Sequence, residues 1–330
     1  MKAAAHVCCF ILILLVVVGS AEGQTVISAK SGLINYVEGE VTLDGQEVEV
    51  KLNSSTQIKP SQVLKTGAGR AEVLLSPGVF LRAGEDSSLK LLSDEIVDTR
   101  LEMLDGSIIV ECVELPKGSS VTVLFKDARV VLEKKGLYRV DSEPAVLRVY
   151  DGEATVRQGD RSETIKKGWL LPLNGLLVAE KFNAKTGDAL FRWARRRAEY
   201  IAMANPAAAR MALRGRYGFE SMTGIWAYNP YMGMYTFVPR SGLYRSFWGY
   251  DFWSPGEVHM VYYPRVYRPS SSAGWSSSGG AVSSRGYEGV PRTAAGTSGV
   301  AASSAPPSAA SSAGSVRVPR ESGAAGTRRR

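Results

Sequence analysis

Apolar and polar residues alternate at period two through much of residues 33–173, and glycine-bearing turns break the alternation at short intervals. The clearest copies are Tyr36-Val-Glu-Gly-Glu-Val-Thr-Leu43 and Tyr150-Asp-Gly-Glu-Ala-Thr-Val156. Such alternation predicts half-buried strands, because successive side chains point to opposite faces. Ala71–Leu75, Leu89–Leu92, Leu101–Leu104 and Val121–Phe125 are further strand-like segments. Turn signals stand between them: Asp44-Gly45, Ser76-Pro-Gly78, Asp105-Gly106, Lys135-Gly136, Asp151-Gly152 and Gln158-Gly-Asp160. At Asp44-Gly45 the glycine accepts the positive φ that a tight hairpin needs. Many short strands at regular spacing predict a mainly β module over 24–177, a stacked β-meander or solenoid, a sandwich or a barrel.

The period changes in 178–214. Leu190, Trp193, Arg197 and Ile201 fall along one face of a predicted helix, with Thr186 as N-cap and Asp188 favoured at its positive end. Asn205-Pro206 is expected to end or kink it, with a second short helix over 207–213. The apolar face is expected to dock on the β module. Residues 215–268 form an aromatic, Gly/Pro-rich segment with neither periodicity, and 269–330 read as a disordered Ser/Gly/Ala/Pro-rich tail with too few large apolar residues to offset ordering.

Composition places the module in a compartment. Lys2, the apolar run Val7–Val18 and Ala21-Glu-Gly23 read as a signal peptide over 1–23, cleaved near Gly23-Gln24. The run is about a dozen residues, against the ~20 of a helical membrane span. Export to the periplasm, the cell envelope or the exterior is therefore expected. Cys112 alone then remains, within the strand-like Ile108–Val113, where burial rather than reactivity is expected. His259 is the remaining histidine, so neither a metal site nor a cofactor is expected.

The strand region resembles the FecR domain, an extracytoplasmic β domain. The carriers are Tyr36-Val37 with Gly39-Glu-Val41, Val63-Leu-Lys-Thr66, Arg70–Leu75, Ser76-Pro-Gly78, Phe80-Leu-Arg82 with Ser87–Leu91, Leu104–Ile109, Val149–Glu153 and Lys167-Gly-Trp169. Regulators of that family precede the domain with a cytoplasmic sigma-binding segment and a membrane helix. Here Met1–His6 precede the apolar run, so direct transcriptional signalling is not carried over, nor is iron uptake.

Chemistry is sparse. Glu38, Glu40, Asp44, Glu47, Glu85, Asp86, Asp94 and Glu95 read as solubilising charges, and His259 lacks a nucleophile elbow beside it, so no catalytic residues are expected. The net charge is +8 over 330 residues. Arg192, Arg195, Arg196, Arg197, Arg210, Arg214 and Arg216 cluster around the helix. Export argues against nucleic acid and favours an anionic envelope component, lipid headgroup or polysaccharide, or an envelope protein, with a solvated helix face as the alternative. Trp226, Tyr231, Phe237, Phe247, Trp248 and Trp253 are expected to pack as a cover, with a binding platform as the alternative. Arg195, Arg196, Arg197, Trp226, Trp248 and Trp253 are the candidate binding residues. The expected function is that of a non-catalytic exported binding or scaffold protein. The alternative is a ligand-sensing module that regulates transport or signalling through another membrane protein. Oligomeric state is not legible.

Overall fold

The computed structural model describes residues 26–27, 30–49, 56–175, 177–216 and 224–262; the expected signal peptide and tail lie outside them. The protein is mainly β. Two nine-stranded sheets face each other. The first runs, in spatial order, Arg161–Lys166, Glu153–Gln158, Ala128–Leu132, Ser120–Phe125, Asp98–Asp105, Ser88–Asp94, Val63–Thr66, Val41–Leu43, Gln46–Glu47. The second runs Glu180–Lys181, Trp169–Pro172, Ala145–Asp151, Gly136–Ser142, Ser107–Cys112, Val79–Ala83, Arg70–Leu74, Leu33–Glu38, Thr56–Gln57. Pairing is antiparallel except where Asp98–Glu102 lies parallel to Ser120–Leu124. The alternation does its expected work between the sheets. Leu64, Leu89, Leu91, Leu101, Met103, Val121 and Val123 of the first sheet meet Val73, Leu81, Ile108, Val110, Val140 and Leu147 of the second in one buried core.

The glycine turns do two jobs. Asp44-Gly45 closes a hairpin, with φ of 50° and 82° at the two central residues, as a type I′ turn requires. Most of the others are corners at which the chain leaves one sheet for the other. At Gly39 the chain passes from Leu33–Glu38 to Val41–Leu43, and a Cβ there would lie 2.3 Å from the Ala68 carbonyl of the next corner. Lys135-Gly136 is also a corner, with Gly136 already the first residue of a strand.

The outer face of the second sheet is covered, and this is what positions the candidate site. Helix α1, Ala189–Met211, lies across it, turning Leu190, Trp193, Ala194 and Ile201 inward. Its cap is Asp188 rather than Thr186: the Asp188 carboxylate accepts the Phe191 N–H at 2.9 Å. Pro206 does not end the helix. Ala208, Ala209 and Ala212 still pack against Ile225, Ala227 and Val238, and the Asn205 amide donates to Phe237 O (2.8 Å) and Trp253 O (3.1 Å), so tertiary contacts hold the turn that proline weakens. The helix closes in a π turn, Ala212–Arg216, where a separate short helix was expected. The aromatic segment forms strands despite its lack of pattern. Ile225–Asn229 pairs with Met234–Val238 and with Val26–Ile27, and Leu243–Arg245 pairs with Asp251–Trp253. Trp226, Phe237 and Phe252 fill the space over Leu33, Leu74 and Phe80.

Candidate functional site

The solvent face of α1 carries the clearest surface feature. Arg192, Arg195, Arg196, Glu199, Tyr200, Met203 and Arg210 are exposed, and at 100° per residue they occupy an arc of about 140°. Arg214 and Leu213 follow in the π turn, both exposed. One carboxylate thus stands among five guanidiniums. Tyr200, Met203 and Leu213 keep 49%, 62% and 61% of their surface in solvent, so apolar groups are interleaved with the charge. Arg195 reaches the Tyr250 hydroxyl at 3.4 Å, which in turn donates to Glu199. Arg210 lies over the Tyr262 ring, 4.4 Å from its centre.

Beneath the helix is a buried ionic cluster. Glu72 accepts from Arg82 Nε at 2.9 Å, from an Arg197 terminal nitrogen at 2.9 Å and from Asn35 Nδ2 at 3.0 Å. Arg82 also donates to Glu111 at 2.8 Å. Two arginines and two glutamates are thereby enclosed with their charges matched, Arg82 and Glu72 fully removed from solvent. Burial pushes the Glu72 carboxyl upward, but the Arg197 and Arg82 charges outweigh it and hold the group below its ordinary range. Glu111 goes the other way: burial dominates over Arg82, its single guanidinium partner, and raises it. Arg197 also stacks on Tyr36, 4.0 Å from the ring centre, and Trp193 Nε1 donates to Glu38 at 2.8 Å. These contacts fix the rotation of α1 and hence which arginines face outward.

The predicted site residues therefore separate. Arg195 and Arg196 are on the exposed face. Arg197 is not a surface contact: 4% exposed, it is the ion partner that the sheet uses to hold the helix. Trp226 is likewise removed from the surface, 1% exposed, with its indole N–H donated to Leu75 O and its ring edge-on to Phe80. Trp248 and Trp253 are half-buried, the first against Phe191 and Phe247, the second beside the alanine-rich end of α1. Tyr231 leaves the cover altogether at 86% exposed. Cys112 is buried in its strand.

Glu72 and Glu111 were absent from the sequence-based candidates. Their signal is a single charge inside an otherwise apolar run, as in Ile108-Ile-Val-Glu-Cys-Val113: a strand apolar at both parities is covered on both faces, so its charge must be paired. No helix among the described residues is long and apolar enough to cross a membrane.

No family model matches the chain, and no curated protein matches it. Two crystal structures of a "putative anti-sigma factor" from Parabacteroides distasonis are similar to part of it, at 15% and 14% identity. Each alignment covers 37% of this chain and 61% of that chain, with a TM-score of 0.33. The chain thus spans about three fifths of the length of the solved structures it matches.

Proposed function

We propose that this protein is a non-catalytic envelope-binding scaffold, in which a two-sheet body presents the outer face of α1 to an anionic lipid surface. The observation that carries this reading is the composition of that face: Arg192, Arg195, Arg196, Arg210 and Arg214 interleaved with exposed Tyr200, Met203 and Leu213. Guanidiniums attract phosphate headgroups, and apolar side chains between them enter the headgroup boundary, a combination that acidic polysaccharide does not exploit. The secretory leader read in the sequence supplies the compartment. The ion-paired state of Glu72 and Glu111 favours a structural over a catalytic role for the buried carboxylates.

Co-sedimentation with vesicles tests the reading. The purified chain should bind phosphatidylglycerol-containing vesicles and ignore phosphatidylcholine, with binding strongly reduced at ~1 M salt, where screening extends over ~3 Å. Each arginine near an anionic surface contributes about 1 kcal/mol, so reversing two charges in Arg195→Glu/Arg196→Glu removes about 4 kcal/mol, roughly a thousandfold in affinity. Undiminished binding by that variant would remove the helix face as the contact.

A further inference from the structure

A second feature, on the same side of the second sheet at the start of α1, borders the helix face at Arg192 but is argued from its own cleft rather than from lipid binding. A cleft of about 410 Å³ opens where strands Gly136–Ser142 and Ala145–Asp151 meet the segment that leads into α1. This is within the range of small-molecule sites. Arg139, Arg148, Tyr150, Phe182, Asn183 and Asp188 line it.

The hydrogen-bonding inventory of the wall is one-sided. The carboxylate of the wall, Asp188, and that of Asp141, which is bonded to the two lining arginines, are both already used. Asp141 accepts from Arg139 Nε at 2.7 Å, from Ser107 and from Arg148; Asp188 accepts from Arg139 at 2.7 Å and caps the Phe191 N–H. The unused groups are mainly donors, with Thr186 the exception: its hydroxyl hydrogen goes to Asn183 O and leaves acceptor lone pairs. Arg148 commits one terminal nitrogen to Asp141, leaving Nε and the other terminal nitrogen. Asn183 accepts the Lys185 N–H through its oxygen, leaving its NH₂. Tyr150 is the most telling: the residue is 4% exposed, it lines the cleft, and its hydroxyl has no hydrogen-bond partner among the described residues. The hydroxyl oxygen is not sealed in the interior, so it is open to solvent or to a ligand in the cleft.

Charge and shape narrow the class further. Arg139 and Arg148 balance Asp141 and Asp188, and the one further positive charge comes from Arg192 of the helix face, which is outside the lining but donates to the Gly187 carbonyl at the rim. The Tyr150 and Phe182 rings meet edge to face, 5.0 Å between centres, and give the cleft an apolar wall. We infer that this cleft binds a small monoanionic carboxylate, its oxygens taken by Arg148, Asn183 and the Tyr150 hydroxyl and its flat body laid against Tyr150 and Phe182. The planar guanidinium fork of Arg148 matches a carboxylate in a way that a point charge does not.

Sodium benzoate is the probe, with benzamide as its uncharged shape-mate and inorganic phosphate as the rival oxyanion, titrated into the full chain and followed by amide NMR shifts. Benzoate is expected to saturate with shifts confined to residues 182–191 and the strands 136–151, and benzamide to bind at least about tenfold more weakly, the worth of one charge-assisted bond. Arg148→Met should weaken benzoate about tenfold or more, and Tyr150→Phe, which keeps the ring packing, about threefold or more. Absence of saturation, equal binding of benzamide, tighter binding of phosphate, or unchanged benzoate affinity in folded Arg148→Met would each overturn the inference. If circular dichroism shows Arg148→Met unfolded, Tyr150→Phe and Asn183→Ala decide the matter by the same titration: unchanged affinity in both overturns it.

Discussion

Replacing Glu72 by Gln keeps the shape of the side chain and removes one charge from the enclosed cluster. In the native protein both carboxylate oxygens are occupied, one by Arg82, the other by Arg197 and Asn35. A glutamine must turn its NH₂ toward one of these donors, so a donor faces a donor whichever way the amide is set. It also leaves two buried guanidiniums with Glu111 as their single carboxylate. Breaking a buried pair from one side costs about 3–5 kcal/mol. For a folded unit of this size that lowers Tm by about 6–20 °C. Thermal unfolding followed by far-UV circular dichroism at pH 7 measures it. Glu38→Gln is the control: half of that side chain is exposed, and an amide oxygen still accepts from Trp193, so its effect should stay within about 1 kcal/mol.

The pH dependence gives an independent check on the same substitution. The folded-state pKa of Glu72 lies below its unfolded value, so its contribution is complete above about pH 5 and disappears as pH falls through the folded value. Glu72→Gln has no such contribution, and the gap between the two proteins should close on acidification. A loss under about 1 kcal/mol at pH 7, or a gap that stays constant down to acid, would refute the buried-charge argument.

Other expectations follow from single contacts. Cys112 is buried and its thiol is pushed strongly upward by that burial, so iodoacetamide at pH 8 should label it only in denaturant; labelling of the native protein would contradict its placement. Asp188→Ala removes the cap of α1 and a partner of Arg139, with an expected loss of about 1 kcal/mol, while Asp188→Asn should retain most of the cap; equal losses in both would assign the effect to the ion pair instead.

The sheets were legible because their inner faces obey period two and their turns carry glycine. Leu101 and Met103 alternate with outward Arg100 and Glu102, and nothing competes with that pattern. The cover was less legible for a physical reason. Trp226, Ala227, Phe237 and Val238 are all buried, so strands of the aromatic segment are apolar at both parities and show no alternation. Arg197 is the instructive case. Its position on the face of Leu190, Trp193 and Ile201 already implied burial, yet its neighbours Arg195 and Arg196 drew it into a surface patch by composition. Periodicity located the side chain; only the Glu72 across the interface, 125 positions away in sequence, explains why a charge is tolerated there. The cleft at Arg148 and Tyr150 had no comparable signal, since it is assembled from two strands and a distant loop.

The bond from Arg197 to Glu72 bears on how such a chain can be divided or recombined. Composition draws a border near residue 177, and a module ending there looks transferable. Yet the charge that neutralises its interior is carried by the helix beyond the border. Excised, the body would expose Phe80 and Leu74 and strand a glutamate whose partner has been left behind. Body and helix therefore form one electrostatic unit: exchanging either one requires replacing residue 72 or supplying another cation to meet it.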